Sequence, residues 1–214
     1  MINDLLEKNK VIVLENLVEK TLQDEIENEI LAGDFPWYYM PATVPVIYDI
    51  PNDYNKQNLK NYYLKDYLQF CHSFMEQDKI SGGKINSPYF YLIEKLMNCF
   101  YKKTNFKKTG ILRAKVNMQT QHNDNKDNCV CMPHTDFDAP HYVLIYYVSN
   151  SDGDTLIFNK NLDISHRISP IKGNFLLFDG CLLHTGTNPK FFDNRLIINI
   201  DLTKWMKSIS VILI

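Results

Sequence analysis

The spacing of apolar residues changes character near Gly110. Before that point a period of three to four dominates. "EKTLQDEIENEILAG" (19–33) sets Leu22, Ile26 and Ile30 in one stripe that Gly33 is placed to terminate, and it predicts a helix. "NLKNYYLKDYLQFCHSFMEQ" (58–77) repeats the pattern with Leu64, Tyr67, Leu68 and Cys71, predicting a second helix that carries His72. Ser87-Pro88 offers an N-cap and a first-turn proline for a third, "YFYLIEKLMNCFYKK" (89–103). One early apolar run, "KVIVLENL" (10–17), reads as a strand. "FPWYYMPATVPV" reads as packed but irregular.

After Gly110 the pattern becomes short strands between turn residues. The candidates are 111–118, 142–148, 155–158, 174–178 and 194–202, with shorter pieces near 165–168 and 182–184. "SNSDGDT" (149–155) contains Asp-Gly and predicts a hairpin turn. Many short strands of this kind predict a sandwich or barrel. The expected organisation is a single domain over 1–214, mainly β with supporting helices. Residues 1–110 form mostly helical support, 111–202 the β core and 203–214 a C-terminal tail.

Composition narrows the class. With 214 residues, 45% hydrophobic and 13% aromatic, the chain can bury a sizeable core. No apolar run approaches the roughly 18 residues that cross a bilayer, and "MINDLLEKNK" lacks the layout of a signal peptide. A cytoplasmic protein without a membrane partner is expected. The five cysteines are odd in number and follow no framework spacing, which predicts reduced thiols. Cys129, Cys131 and His134 lack the fourth ligand of a closed zinc site. A net charge of −2 gives no basic field for nucleic acid. Of 23 basic residues only Arg113, Arg167 and Arg195 are arginines, so each is worth inspecting.

The candidate chemistry starts in "CVCMPHTDFDAP" with His134-Thr135-Asp136. A lone His-x-Asp triplet arises often by chance. His184, in "FDGCLLHTGTNP", follows Asp136 by 48 residues, and Arg195 follows His184 by 11. Two histidines and a carboxylate can occupy one face of octahedral Fe(II) and leave three positions open. A bidentate 2-oxo acid fills two of these and O2 the third. In "NRLIINIDL" strand alternation puts Arg195, Ile197 and Asn199 on one face. An inward guanidinium there suits a carboxylate, which it pairs in a planar, two-pronged way that lysine cannot match.

"PHTDFD", "YVLIYYVSNSDGDTLIF", "GNFLLFDGCLLHTG" and "RLIINIDL", in that order, resemble the Fe(II)- and 2-oxoglutarate-dependent oxygenases on their prolyl-hydroxylase-like side. The resemblance covers roughly residues 111–202. "FPWYY" is similar to uncharacterised oxygenases of this type in phages and marine microbes. The resemblance implies a double-stranded β-helix, or jelly roll, in which His134, Asp136 and His184 hold the metal. It places Arg195 on the distal carboxylate of 2-oxoglutarate, joined by Tyr147 and Thr155. Where prolyl hydroxylases often carry a tyrosine, "KVNMQTQ" offers Asn117, Met118 or Gln119.

The implied reaction hydroxylates an unactivated C–H bond of a prolyl residue or small metabolite, with succinate and CO2 as co-products. Halogenases of this fold leave the carboxylate position vacant, and Asp136 fills it here. The nucleic-acid demethylases of the superfamily carry a second arginine six residues after the first, where this chain has Asp201. That argues against nucleic acid and leaves a small-molecule or peptide substrate. The rival reading is a non-catalytic, cupin-like jelly roll that binds a metal or ligand. His141 is close enough in sequence to line the mouth of the site, and the polar stretch 119–128 has the composition of a lid. His72, His122 and His166 carry less weight.

Overall fold

Alternation in the second half folds two sheets against each other, and helices cover the outer face of the larger one. The computed structural model describes residues 2–43, 50–65, 67–77, 83–122 and 129–204. Helix α1 (Ile2–Asn9) leads into strand β1 (Val11–Leu14) and helix α2 (Lys20–Ile30). Then come β2 (Tyr38–Met40), a 3-10 turn (Lys56–Asn61), β3 (Tyr63–Leu64), β4 (Gln69–Glu76), β5 (Lys84–Ile85) and helix α3 (Phe90–Thr104). The second half supplies β6 (Ile111–Thr120), β7 (Cys129–Val130), β8 (His141–Tyr147) and β9 (Thr155–Phe158). It continues with β10 (Ile164–Ile168), β11 (Phe175–Asp179), β12 (His184–Gly186) and β13 (Asn194–Thr203).

The larger sheet runs β1-β11-β8-β13-β6-β4-β2 with β5 paired to β4, and the smaller runs β10-β9-β12. A short parallel pair joins β3 and β7. This is a double-stranded β-helix whose larger sheet is extended at both edges by strands from the first half. Leu196, Ile198, Ile200 and Leu202 of β13 face the helices and join one core with Val116, Tyr146, Ile26, Leu96 and Phe100. Each such side chain contributes about 1.5–3 kcal/mol when fully buried. The alternate positions of β13 and β6 turn to the smaller sheet, and the antiparallel register fixes their neighbours. Arg195 lies opposite Gln119, Asn199 opposite Lys115, and Asp201 opposite Arg113.

Three expectations need correction. Residues 58–77 are a 3-10 turn followed by β3 and β4, so His72 is on a strand. Both faces of β4 are covered, with His72 and Phe74 on the helix side. Polar Gln69 and His72 are buried while Phe70 is only partly so, which hid the alternation and let an i, i+4 coincidence read as a helix. The first half therefore contributes β2 to β5 as well as its helices, and it begins with α1, which the sequence reading missed. Finally, the Asp-Gly turn is no hairpin. β8 pairs with β11 and β13, while β9 pairs with β10 and β12, so residues 149–154 cross from one sheet to the other.

The third helix starts two residues later than Ser87-Pro88 predicts, with Tyr89 as its N-cap and no side-chain cap bond, and Ser87 acts in the turn before it. Ser87 Oγ accepts the Tyr89 N–H at 3.1 Å. No described helix is long and apolar enough to cross a membrane. Most of the expected tail, 205–214, and most of the expected lid, 123–128, lie outside the described residues.

Candidate active site

The backbones of His134 and His184 exchange two hydrogen bonds, at 3.0 and 2.9 Å, which fasten the His-x-Asp segment to the start of β12. The Nδ1 of each ring faces the carbonyl two residues earlier: His134 to Met132 at 3.1 Å and His184 to Leu182 at 3.2 Å. A carbonyl only accepts, so Nδ1 donates and Nε2 of a neutral ring presents a lone pair. His184 Nε2 stands 3.4 Å from Asp136 Oδ2. One donor atom from each of the three residues lies within 4.8 Å of the others.

Burial, reinforced by His184, pushes the His134 imidazole down to about 4, so it is neutral at pH 7. Burial opposes ionisation of Asp136, but a protonated His184, donating to it, and the charges of Arg113 and Lys115 hold its carboxyl well below the usual range. When both rings are neutral, two imidazole lone pairs converge on a carboxylate, which is repulsive until a cation sits among them. The donor set fits a divalent metal of the Fe(II) type.

The sequence reading missed what holds Asp136. Its Oδ1 accepts from Arg113 Nη2, and its Oδ2 accepts from Asn199 Nδ2 at 3.1 Å. Arg113 Nε also donates to Asp201 Oδ2 at 2.9 Å. Burial, and Asp136 nearby, raise the Asp201 carboxyl well above its ordinary value in spite of Arg113. The clue available in the sequence was Arg113 itself, one of three arginines, at an alternate position in a strand. His141 is fully buried, with Nδ1 donating to Ala139 O at 2.8 Å, so it sits behind the site and not at its mouth. Asp136, His141 and Asp201 form a second close group of potential ligands, but Arg113 already supplies the positive charge between its two carboxylates.

Arg195 is 3% exposed and donates three hydrogen bonds of 2.8 Å, to Gly153 O, Gln119 Oε1 and Thr155 Oγ1. Thr155 Oγ1 also accepts from Tyr147 OH at 3.0 Å. Burial pushes the Tyr147 phenol up to about 12, so it remains a donor. Of the residues offered by "KVNMQTQ", Gln119 is the one that reaches Arg195; Met118 packs toward the helices. Among the described residues no carboxylate pairs with Arg195, although the nearby Asp154 pairs with Arg167 at 2.7 Å. A buried cation in that position calls for an anion from outside.

Arg195, Thr155 and Gln119 line the same cavity as His134, Asp136 and His184. Tyr147 reaches it through Thr155. The cysteines are not part of it as ligands: Cys129 Sγ bonds Tyr67 OH at 2.9 Å, and neither Cys129 nor Cys131 joins His134 in a potential metal group among the described residues.

No family model and no curated protein matches the sequence. The structure is similar to solved ones. An oxidoreductase of the 2OG-Fe(II) oxygenase family from Burkholderia pseudomallei superposes with a TM-score of 0.66 at 9% identity, over 93% of this chain and 88% of that one. A prolyl hydroxylase from Trichoplax adhaerens, in complex with a hypoxia inducible factor peptide fragment, gives 0.59 at 14% identity, over 95% and 87%. A Pseudomonas putida prolyl-4-hydroxylase gives 0.53 at 10% identity, over 94% and 96%. The fold is that of the 2OG-Fe(II) oxygenases and prolyl hydroxylases. At these identities the likeness is one of fold.

Proposed function

We propose that this chain is an Fe(II)- and 2-oxoglutarate-dependent dioxygenase that hydroxylates an unactivated C–H bond of a small metabolite or a prolyl residue. His134, Asp136 and His184 hold the iron, and Arg195, Thr155 and Tyr147 take the distal carboxylate of 2-oxoglutarate. One observation carries this reading: a buried arginine with no carboxylate partner among the described residues shares a cavity with two imidazoles, each with Nδ1 on a backbone carbonyl, and a carboxylate. The iron, with 2-oxoglutarate and O2, supplies the oxidising power, and succinate and CO2 are the co-products.

The chain's own residues position and insulate. The Nδ1–H bonds fix both histidine tautomers, and Arg113 and Asn199 fix the carboxylate. Thr155 and Gln119 hold the Arg195 guanidinium in plane for two-pronged binding. Ile197, between Arg195 and Asn199 on the same strand face, offers apolar surface to the methylenes of the cosubstrate. Succinate formation by the purified protein tests the proposal. It should require Fe(II), 2-oxoglutarate and O2 together and vanish in His134→Ala. Formation that is indifferent to iron would overturn it.

A further inference from the structure

A second cation lines this cavity, Lys115 on β6. It lies on the same strand face as Gln119, the cross-strand neighbour of Arg195, but four residues away. That is about 13 Å of extended strand. A five-carbon diacid anchored on Arg195 and chelated at the metal has no carboxylate left for Lys115. Arg113, the other nearby cation, is occupied by Asp136 and Asp201. Among the described residues the Lys115 ammonium makes no hydrogen bond or ion pair. Asp136 and Asp201 act on it only at longer range.

Beside Lys115 are two side-chain amide oxygens of β6 and β13. Among the described residues, Asn117 Oδ1 and Asn199 Oδ1 are buried without a hydrogen-bond partner, on residues only 8% and 5% exposed that line the same cavity. Asn117 shares the Lys115 face of β6, two residues along, and Asn199 is the cross-strand partner of Lys115. The Asn199 amide is oriented because its Nδ2 donates to Asp136, which leaves Oδ1 as the free end. A buried acceptor left unpaired is costly, and so is a desolvated ammonium. One small ligand satisfies all three groups if it carries a carboxylate and an N–H donor cluster close together.

We propose that the substrate is a free α-amino acid, with its carboxylate on Lys115 and its ammonium shared between the side-chain carbonyls of Asn117 and Asn199. This rests on the oxygenase reading above and narrows it. A residue inside a peptide has neither charge, so the same subsite discriminates against internal prolyl residues. Losing the ammonium–carboxylate contact should cost about ten- to a hundred-fold in affinity.

The test uses protein loaded with redox-inert Zn(II) and 2-oxoglutarate, titrated calorimetrically with the common L-amino acids, their α-carboxamides and acetyl-Gly-Pro-Gly-amide. At least one free amino acid should bind, and its carboxamide should bind at least about ten-fold more weakly. Lys115→Met should weaken that amino acid by about ten- to a hundred-fold, and Lys115→Arg should recover most of the loss. Should Lys115→Met fail to fold, the acid–amide comparison on the wild type and the Lys115→Arg result decide the matter. Equal binding of acid and amide, wild-type affinity in Lys115→Met, or binding of the blocked peptide alone would overturn the proposal. The 2-oxoglutarate loading step separates the two levels. If the wild type takes up no 2-oxoglutarate, the oxygenase reading falls and this one with it. If it does, yet no free amino acid is preferred, the substrate assignment alone is wrong.

Discussion

Arg113 grips Asp136 by Oδ1, leaving Oδ2 turned to His184 and held by Asn199. The guanidinium therefore does not compete for the oxygen nearest the histidines. It fixes the plane of the carboxylate that presents that oxygen. Arg113→Met should weaken metal binding by about 10- to 100-fold, the usual consequence of losing a partner that orients a ligand. Titration of the metal-free protein with Fe(II) under nitrogen measures it. Unchanged affinity would show that Asn199 alone orients Asp136.

His134→Ala and His184→Ala each remove one of three convergent donors, and each should abolish the uptake of one Fe(II) per chain. Metal analysis after dialysis reads this directly. Asp136→Gly opens a coordination position and removes a negative charge, so succinate production should collapse even where some iron remains. Full iron occupancy in both histidine variants, or undiminished succinate from Asp136→Gly, would remove these residues from the metal site.

Gly153 is where backbone meets the Arg195 side chain. A Cβ there would lie 2.6 Å from Thr187 O and 2.8 Å from Arg195 Cδ. The first neighbour is backbone and cannot swing away. Gly153→Ala should cost about 1–3 kcal/mol of stability, as overpacking does. It should also weaken 2-oxoglutarate binding by displacing Arg195, with iron affinity kept. Chemical denaturation and a pair of titrations check both halves.

The His-x-Asp, distal His and Arg pattern was legible because it is carried by short motifs in β-rich sequence, where alternation tells inward from outward. What was not legible depends on register. Nothing in "ILRAKVNM" says that Arg113 will stand opposite Asp201 and reach Asp136, because that pairing comes from the alignment of β6 with β13. Lys115 is similar: as one of many lysines it reads as surface until the sheet places it in the cavity. β4 escaped because its buried positions do not match its apolar ones: Gln69 and His72 are buried while Phe70 and Met75 are only partly so. The crossover at 149–154 escaped because an Asp-Gly turn has the same local chemistry whether it joins paired strands or two sheets.

His72 gives a pH dependence remote from the proposed metal site. Its Nδ1 donates to Pro36 O at 2.9 Å, and its Nε2 accepts from Ser87 Oγ at 2.7 Å. Both contacts suit the neutral ring, and burial lowers its pKa, against the pull of the Pro36 carbonyl. The unfolded ring has a pKa of about 6.5. A folded value below that means the contribution to stability is full above about pH 6.5 and is lost as the pH falls. His72→Phe, which suits the rings of Phe35, Phe74 and Tyr89 around it, should narrow the drop in Tm between about pH 7 and pH 5. An unchanged drop would assign the acid sensitivity elsewhere.

The most direct test of the central claim is anaerobic calorimetric titration of 2-oxoglutarate into protein loaded with Fe(II), repeated on Arg195→Lys. Lysine keeps the charge but not the fork that meets Thr155 and Gln119. The wild type should bind one equivalent, and only when the metal site is filled. Arg195→Lys should bind about ten- to a hundred-fold more weakly while its affinity for Fe(II) stays within about two-fold of wild type. Binding that ignores the metal, or equal affinity in the two proteins, would contradict the account.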